Sequence, residues 1–423
     1  MAGYMKDLGN GKYQFEVSKG HTGSGKRNKA YRTITAKGKT PEAREKYAEK
    51  QLALFVAEVE NGSYTKPTNL TFNEYVEKWK VKASRDLAPK TFYRYNELLR
   101  LHIVPRIGAY KLEEINPTIL EDAYEELRQP MKKVFSRKDG SKSEKVYTLS
   151  EQTLLHIHRL IGTILQKAFE KGLIKENPIT RTDAPKVKKK APDVYETEQI
   201  TELIKALEDA DIQFKTAVHI TLASGCRLGE LIGLEWKDIN YARSTIDIRQ
   251  AGQYLPDKGI FTKDPKNETS VRTVVVPEIV MGFIAQLEHQ KKLQKVKLGT
   301  KWMGGSITDI PEEGEKPKLN MLFTQANGLP IFPDTISKQW RNFIQEKGFP
   351  KLTFHGLRHT SASYLIACGQ DVVSVSKRLG HAKPSTTLSI YAHAFKKRDL
   401  ASAEFMEGLY PKKENSVDEN KAN

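Results

Sequence analysis

Leu379-Gly380-His381-Ala382-Lys383-Pro384-Ser385-Thr386-Thr387-Leu388-Ser389-Ile390-Tyr391-Ala392-His393 sets a histidine and a tyrosine ten residues apart. Alone, Tyr391 reads as an ordinary half-buried aromatic. Its meaning comes from the segments upstream. His355-Gly356-Leu357-Arg358-His359 puts a histidine and an arginine three residues apart, on one side of a helix. Ser224-Gly225-Cys226-Arg227-Leu228-Gly229-Glu230-Leu231 reads as an apolar helix in which Arg227 precedes Glu230 by three, and a structural ion pair would explain both. Pro265-Lys266-Asn267-Glu268-Thr269-Ser270-Val271-Arg272 reads as a turn between strands, with Lys266 one lysine among many.

Together these residues ask for one kind of reaction. The inventory is two arginines, two or three histidines, a lysine and a tyrosine, with no carboxylate cluster of the sort that holds magnesium and no Cys/His set at zinc spacing. Metal-free attack on a phosphodiester needs a side-chain nucleophile, cations around the nonbridging oxygens, and a proton donor for the leaving hydroxyl. A tyrosine oxygen suits the first task, and its phenolate leaves again readily. The planar fork of arginine grips two phosphate oxygens at once. Lysine or histidine suits the third. The formal net charge of +17 fits attraction to a polyanion, of which nucleic acid is the commonest large one.

A length of 423 residues predicts about two to four domains; 38% hydrophobic residues are enough for packed cores, and 29% charged ones give a heavily charged surface. Cys226 and Cys368 make no disulfide framework, no signal-peptide core follows Met1, and no apolar run has membrane-spanning length. The expected compartment is the bacterial cytoplasm, on DNA, with no membrane partner. Residues 11–37 alternate as a small sheet around a glycine-rich turn at 20–29. Gly20 to Lys26 there fits most of a phosphate-binding loop, but Arg27 stands where Ser or Thr is needed and a strand follows instead of a helix. The better reading is a hairpin offering Lys26, Arg27 and Lys29 to DNA. A helix starts at Pro41 with Thr40 as its N-cap. Helices follow with Phe72, Tyr75, Val76 and Trp79 on one face, then from Pro89, from Leu112 to Leu127, and over 150–172. Residues 130–147 read as an exposed basic loop or hairpin, 185–192 as a basic linker, 244–249 and 273–277 as strands, and 289–320 as an inserted loop. Residues 411–423 read as a disordered tail.

The ordered set Arg227, Lys266, His355-x-x-Arg358, His381 and Tyr391 resembles the tyrosine recombinase, or phage integrase, family, in particular integrases of phages and conjugative transposons. The resemblance implies a mainly helical multidomain chain with small β-sheets. Residues 1–62 would be an arm-type DNA-binding domain of three strands and a helix, 63–180 a helical core-binding domain, 181–196 a basic linker and 197–410 the catalytic domain. It implies Tyr391 as nucleophile, Arg227 and Arg358 on the phosphate oxygens, and His381 as a further donor. His355 would accept the tyrosine proton, Lys266 would protonate the leaving hydroxyl, and Glu230 would buttress Arg227. Lys263 also lies in the lysine loop, but the Pro-Lys-x-x-x-Ser-x-Arg spacing favours Lys266; Asn267 stands where the family often has threonine. Lys90, Arg94, Lys188 and Lys189 are further candidate DNA contacts. The resemblance implies double-stranded DNA at core and arm sites, a homotetramer on it, accessory DNA-bending and excision factors, and no metal or cofactor. The apolar segment from Phe395 to Tyr410 would pack on a neighbouring subunit, or on its own domain. A type IB topoisomerase shares this chemistry, and a non-catalytic DNA-binding regulator would share the charge.

Overall fold

The computed structural model describes residues 3–21, 27–61, 69–136, 141–188, 191–263, 271–305, 319–385, 387–388, 406 and 409–410. They fall into two compact units, 1–188 and 189–423. Among them, no helix is long and apolar enough to cross a membrane.

The first unit opens with an antiparallel sheet, β1 (Gly3–Gly9), β2 (Lys12–His21) and β3 (Arg27–Thr35), in that order. The alternation in β2 buries Tyr13, Phe15 and Val17 against Ala48, Phe55 and Val59 of α1 (Pro41–Glu60). Thr40 caps α1 by accepting from the Ala43 amide. The first strand lay outside the 11–37 pattern. Most of its residues are exposed, so it has no apolar alternation to show, and Gly9, Asn10 and Gly11 turn it back with positive φ.

A second core follows. In α2 (Phe72–Asp86) a Thr71–Glu74 capping box starts the helix, and Phe72, Tyr75, Val76 and Trp79 are all buried. The next helix, α3 (Pro89–Leu98), runs through a π turn at Leu99–Ile103 into α4 (Val104–Ile107). The third predicted helix starts later than Leu112. It is α5 (Pro117–Arg128), because Asn116 caps it and Pro117 fits only its first turn, leaving Leu112 and Ile115 buried ahead of it. The 130–147 stretch is a hairpin of β4 (Met131–Ser136) and β5 (Lys142–Tyr147). It leads to α6 (Glu151–Glu170), capped by Ser150, whose buried face runs from Leu154 to Ala168.

The second unit begins with α7 (Thr197–Ala206), α8 (Ile212–Ser224) and α9 (Leu228–Ile232). A small antiparallel sheet follows, β6 (Ile239–Asn240) and β7 (Thr245–Ile248), and a hairpin of β8 (Ala251–Leu255) and β9 (Gly259–Lys263) that the sequence reading missed. The chain returns as β10 (Arg272–Val275), which pairs with β7 in the order β10-β7-β6. Then come α10 (Glu278–Leu298), α11 (Pro333–Glu346), α12 (Phe354–Ala367) and α13 (Val372–Leu379). Residues 289–298 are therefore helix and not inserted loop. Leu287 and Lys291 keep that polar stretch on the body, with Lys291 Nζ donating to the Thr324 carbonyl at 3.4 Å and Gln294 to that of Ala326 at 3.0 Å. Of the remainder of the predicted insertion, Gly299–Lys301 is a 3-10 turn and 306–318 lie outside the described residues, as do the tail 411–423 and most of the segment from Phe395 to Tyr410; Met406, Leu409 and Tyr410 are exposed. The core gathers Phe214, Leu231, Ile246, Val274, Ile284, Phe323, Trp340 and Leu357.

Gly225 ends α8 in the left-handed conformation at φ +66°, and a Cβ there would lie 2.5 Å from Leu379 Cδ2. Forcing an L side chain into that conformation costs about 1–2 kcal/mol. Gly225→Ala is therefore expected to lower the melting midpoint of the second unit by roughly 2–8 °C, read by calorimetry on the full chain. An unchanged midpoint would contradict the role given to this turn.

Candidate active site

Arg227 is not inside a helix, contrary to the sequence reading. The left-handed turn at Gly225 breaks α8, and Arg227 becomes the extended N-cap residue of α9, at φ −75° and ψ 153°. Its backbone amide donates to Glu230 Oε2 at 3.0 Å and its Nη1 to Glu230 Oε1 at 2.7 Å. So the i, i+3 pair is real, but it closes a helix start. Arg272, on the first residue of β10, donates from Nη2 to Glu230 Oε2 at 2.8 Å. Burial alone would push the Glu230 carboxyl up. The Arg272 hydrogen bond and charge, and then Arg227, outweigh it and hold the acid below the usual carboxylate range.

His355 and Arg358 share α12, started by Thr353, which accepts from the Gly356 amide. Arg358 is 1% exposed. Its Nη1 donates to the Gly225 carbonyl at 2.6 Å, two residues before Arg227, and its Nη2 donates to His381 Nε2 at 2.8 Å. Arginine has only donors, so His381 Nε2 accepts. Its proton then sits on Nδ1, which donates to Thr387 Oγ1 at 2.8 Å. Burial, then the charges of Arg358 and Arg227, bring His381 down to about 4. It is neutral at pH 7. The surrounding protein, then Arg358 and Arg227, also hold His355 low, with Glu230 acting the other way; its ring meets that of His359 edge to face at 4.9 Å. Burial, then His355 and Arg358, bring His359 down to about 4.

One side of the cluster stays open. The Arg227 side chain is 40% exposed and His355 is exposed, while Arg358 closes the floor. The frame behind them was not legible beforehand. Arg272 Nε donates to the Arg378 carbonyl at 2.7 Å, and Arg378 Nη2 donates to the carbonyls of Ala223 at 2.6 Å and Val275 at 2.9 Å. No periodic pattern marks these arginines, because their partners lie more than 100 residues away. Arg272 stands in the quoted Lys266 segment, the nearest thing to a signal.

Lys266 and Tyr391 lie outside the described residues, as do Lys26 and Lys189; Lys263 ends β9. Arg27 is the first residue of β3, Lys29 pairs with Glu16, Lys90 and Lys188 are exposed, and Arg94 pairs with Glu97 at 2.7 Å. A cluster of two arginines and neutral imidazoles, open to solvent, is equipped to hold a phosphodiester and to accept or relay a proton.

A family model described as "Phage integrase family" matches residues 194–398, and one described as "Phage integrase, N-terminal SAM-like domain" matches 71–128, together more than half of the chain. A tyrosine recombinase XerC-like protein of Caldanaerobacter subterraneus subsp. tengcongensis is 24% identical over 382 residues, 86% of this chain and 90% of the relative. The ICEBs1 integrase of Bacillus subtilis is 24% identical over 261 residues, 62% of this chain and 67% of the relative. In fold, the chain is similar to the Tn1549 transposon integrase solved with a circular intermediate DNA, with a TM-score of 0.61 at 20% identity over 81% of this chain and 100% of that one. The chain belongs to the phage integrase family of tyrosine recombinases, enzymes that break and rejoin DNA.

Two outcomes follow from this geometry. Arg272→Met leaves Glu230 to Arg227 alone, and single-turnover cleavage of a nicked duplex should slow by about 10- to 100-fold, the usual cost of losing an orienting group; Arg272→Lys should recover part of it. Full activity in Arg272→Met would contradict the bracing. Second, the unfolded chain protonates its histidines near pH 6.5, whereas folded His359 and His381 do so only at about 4. The unfolded state binds more protons between those values, so stability rises with pH across the window and is lost as pH falls through it. The denaturant midpoint of the second unit should drop from pH 7 to pH 5, and less steeply in His359→Gln. Identical slopes would refute the assignment.

Proposed function

We propose that the chain is a site-specific integrase that inserts and excises a mobile element or prophage. The observation that carries this reading is the open-sided cluster in which buried Arg358 bonds both His381 and the Gly225 carbonyl, two residues before the half-exposed Arg227. Arg227 and Arg358 hold the nonbridging oxygens of the scissile phosphate and stabilise the charge of the pentavalent transition state. His381 supplies a further hydrogen bond once Arg358 turns to the phosphate and the His381 proton moves from Nδ1, where Thr387 accepts it, to Nε2. The Tyr391 oxygen attacks phosphorus, and His355 takes its proton. The bond from phosphorus to the 5′-oxygen breaks as Lys266 protonates that oxygen, leaving a 3′-phosphotyrosyl link and a free 5′-hydroxyl. Attack by a partner strand's 5′-hydroxyl reverses these steps, so no high-energy cofactor is consumed.

Exchange of one strand pair, a four-way junction and exchange of the second pair would follow within a homotetramer on two DNA sites. The names of the Bacillus subtilis and Tn1549 relatives support a mobile element as the substrate. In this reading residues 1–62 take arm sites, and 63–180 with 197–410 take the core site across the linker 181–196. Exposed Lys90 and Lys188 are candidate phosphate contacts, and accessory bending and excision factors set direction. The reaction takes place where the bacterial chromosome lies.

The test is a nicked suicide duplex carrying the attachment core. The native protein should form a covalent adduct at the 3′ end, and Tyr391→Phe none. Arg358→Ala should slow adduct formation by about 10²–10³-fold, the scale set by losing one transition-state donor. Tight binding without an adduct would return the non-catalytic regulator. Relaxation of any supercoiled plasmid, regardless of site, would return the topoisomerase.

A further inference from the structure

The β4–β5 hairpin is absorbed by nothing described so far. The SAM-like match ends at residue 128, just before it. The helical core it interrupts stops at Leu127 and resumes at Leu149, with none of the hairpin's described side chains among its members. Lys132, Glu144, Lys145 and Val146 are all exposed, Val146 at 59%. A lone two-stranded hairpin is marginal in water. This one also carries an internal conflict. Its strands contain Lys132, Lys133, Lys142 and Lys145 against the single acid Glu144, and the register sets Lys133 directly opposite Lys145. Like charges in that relation weaken a ribbon. The Lys132–Glu144 pair, 3.8 Å apart and well exposed on both sides, offsets little of this.

Its base, by contrast, is stiff. Arg128 Nε and Nη2 donate to the two oxygens of Glu151 at 2.9 and 3.0 Å, and Nη1 donates to Glu125 at 2.5 Å. This fork joins the end of α5 to the start of α6, the two points between which the hairpin is inserted. The pairing then runs without a slip from Met131–Tyr147 to Ser136–Lys142. A lysine-rich ribbon whose described side chains are all half-buried or exposed, and which starts from a fixed base, is suited to a polyanion. Six residues per strand span about 20 Å at ~3.3 Å each, which is about six base pairs of duplex. A two-stranded ribbon also fits the major groove.

We propose that β4–β5 is a duplex-DNA-binding ribbon, extending the contact made by the helical domain along the flank of its site. This rests on the reading that the chain binds duplex DNA. The probe is a 40-base-pair duplex of arbitrary sequence, titrated with the full-length protein by fluorescence anisotropy over a series of salt concentrations. One variant replaces Lys132, Lys133, Lys142 and Lys145 by Gln. A charge-matched control replaces Lys292, Lys295, Lys297 and Lys301, exposed on or just after α10, by Gln. A second ribbon variant replaces residues 131–147 by a Gly-Ser linker, which keeps the test valid if the four-Gln ribbon misfolds.

Each lost phosphate contact lowers the slope of log affinity against log salt by about 0.9. Both ribbon variants should therefore lose roughly two to four units of slope, with the control unchanged. Ribbon slopes equal to wild type, or a control that loses as much, would make the hairpin a solvated charged surface and overturn the proposal. A wild-type protein with no salt-dependent binding would instead overturn the DNA-binding reading itself, and the ribbon with it.

Discussion

A single buried carboxylate stands between two guanidinium groups, and the arrangement around it depends on that fact. Glu230 gives one oxygen to Arg227 and the other to both the Arg227 amide and Arg272. A charge this deep is tolerated only when it is paired and its lone pairs are used. Here three donors use them. In return the acid fixes Arg227 as a half-exposed fork with one edge occupied and the other making no hydrogen bond to a described residue. A lone arginine at a helix start would sample many rotamers and would lose that entropy on every encounter with a phosphate.

The bracing spreads from there through main-chain oxygens. Arg272 reaches the Arg378 carbonyl, Arg378 reaches those of Ala223 and Val275, and Arg358 reaches that of Gly225. Four elements that are distant in sequence, namely the end of α8, the strand β10, and the helices α12 and α13, are thereby tied into one frame. Donors held in advance of the reaction need no reorganisation when charge develops, and that is where electrostatic catalysis draws its strength.

The chemistry-bearing residues were legible in the sequence where a local rule governs them. His355 and Arg358 share a helix face because three residues make nearly one turn. Phe72, Tyr75, Val76 and Trp79 fill a core for the same reason. What stayed hidden was fixed by non-local contacts. Arg227 looked helical because Leu228, Leu231 and Ile232 follow it, yet Gly225 in the left-handed region ends the helix ahead of it. Arg272 and Arg378 looked like unremarkable basic residues because their partners are carbonyls far along the chain. The second half of α10 looked like a loop because its sequence is polar, although Lys291 is buried and its ammonium is satisfied by a backbone oxygen. The first strand gave no pattern because most of it faces water.

The use of main-chain carbonyls as anchors bears on how far such a chain can drift. A side-chain partner must keep its identity, whereas a carbonyl is supplied by whatever residue occupies the position. Ala223, Val275 and Arg378 contribute an oxygen that almost any substitute would also contribute. The four-arginine frame therefore asks for a backbone path and for few particular neighbours. Divergence to 24% identity over 382 residues leaves such a frame room to persist while the surfaces around it change their addresses.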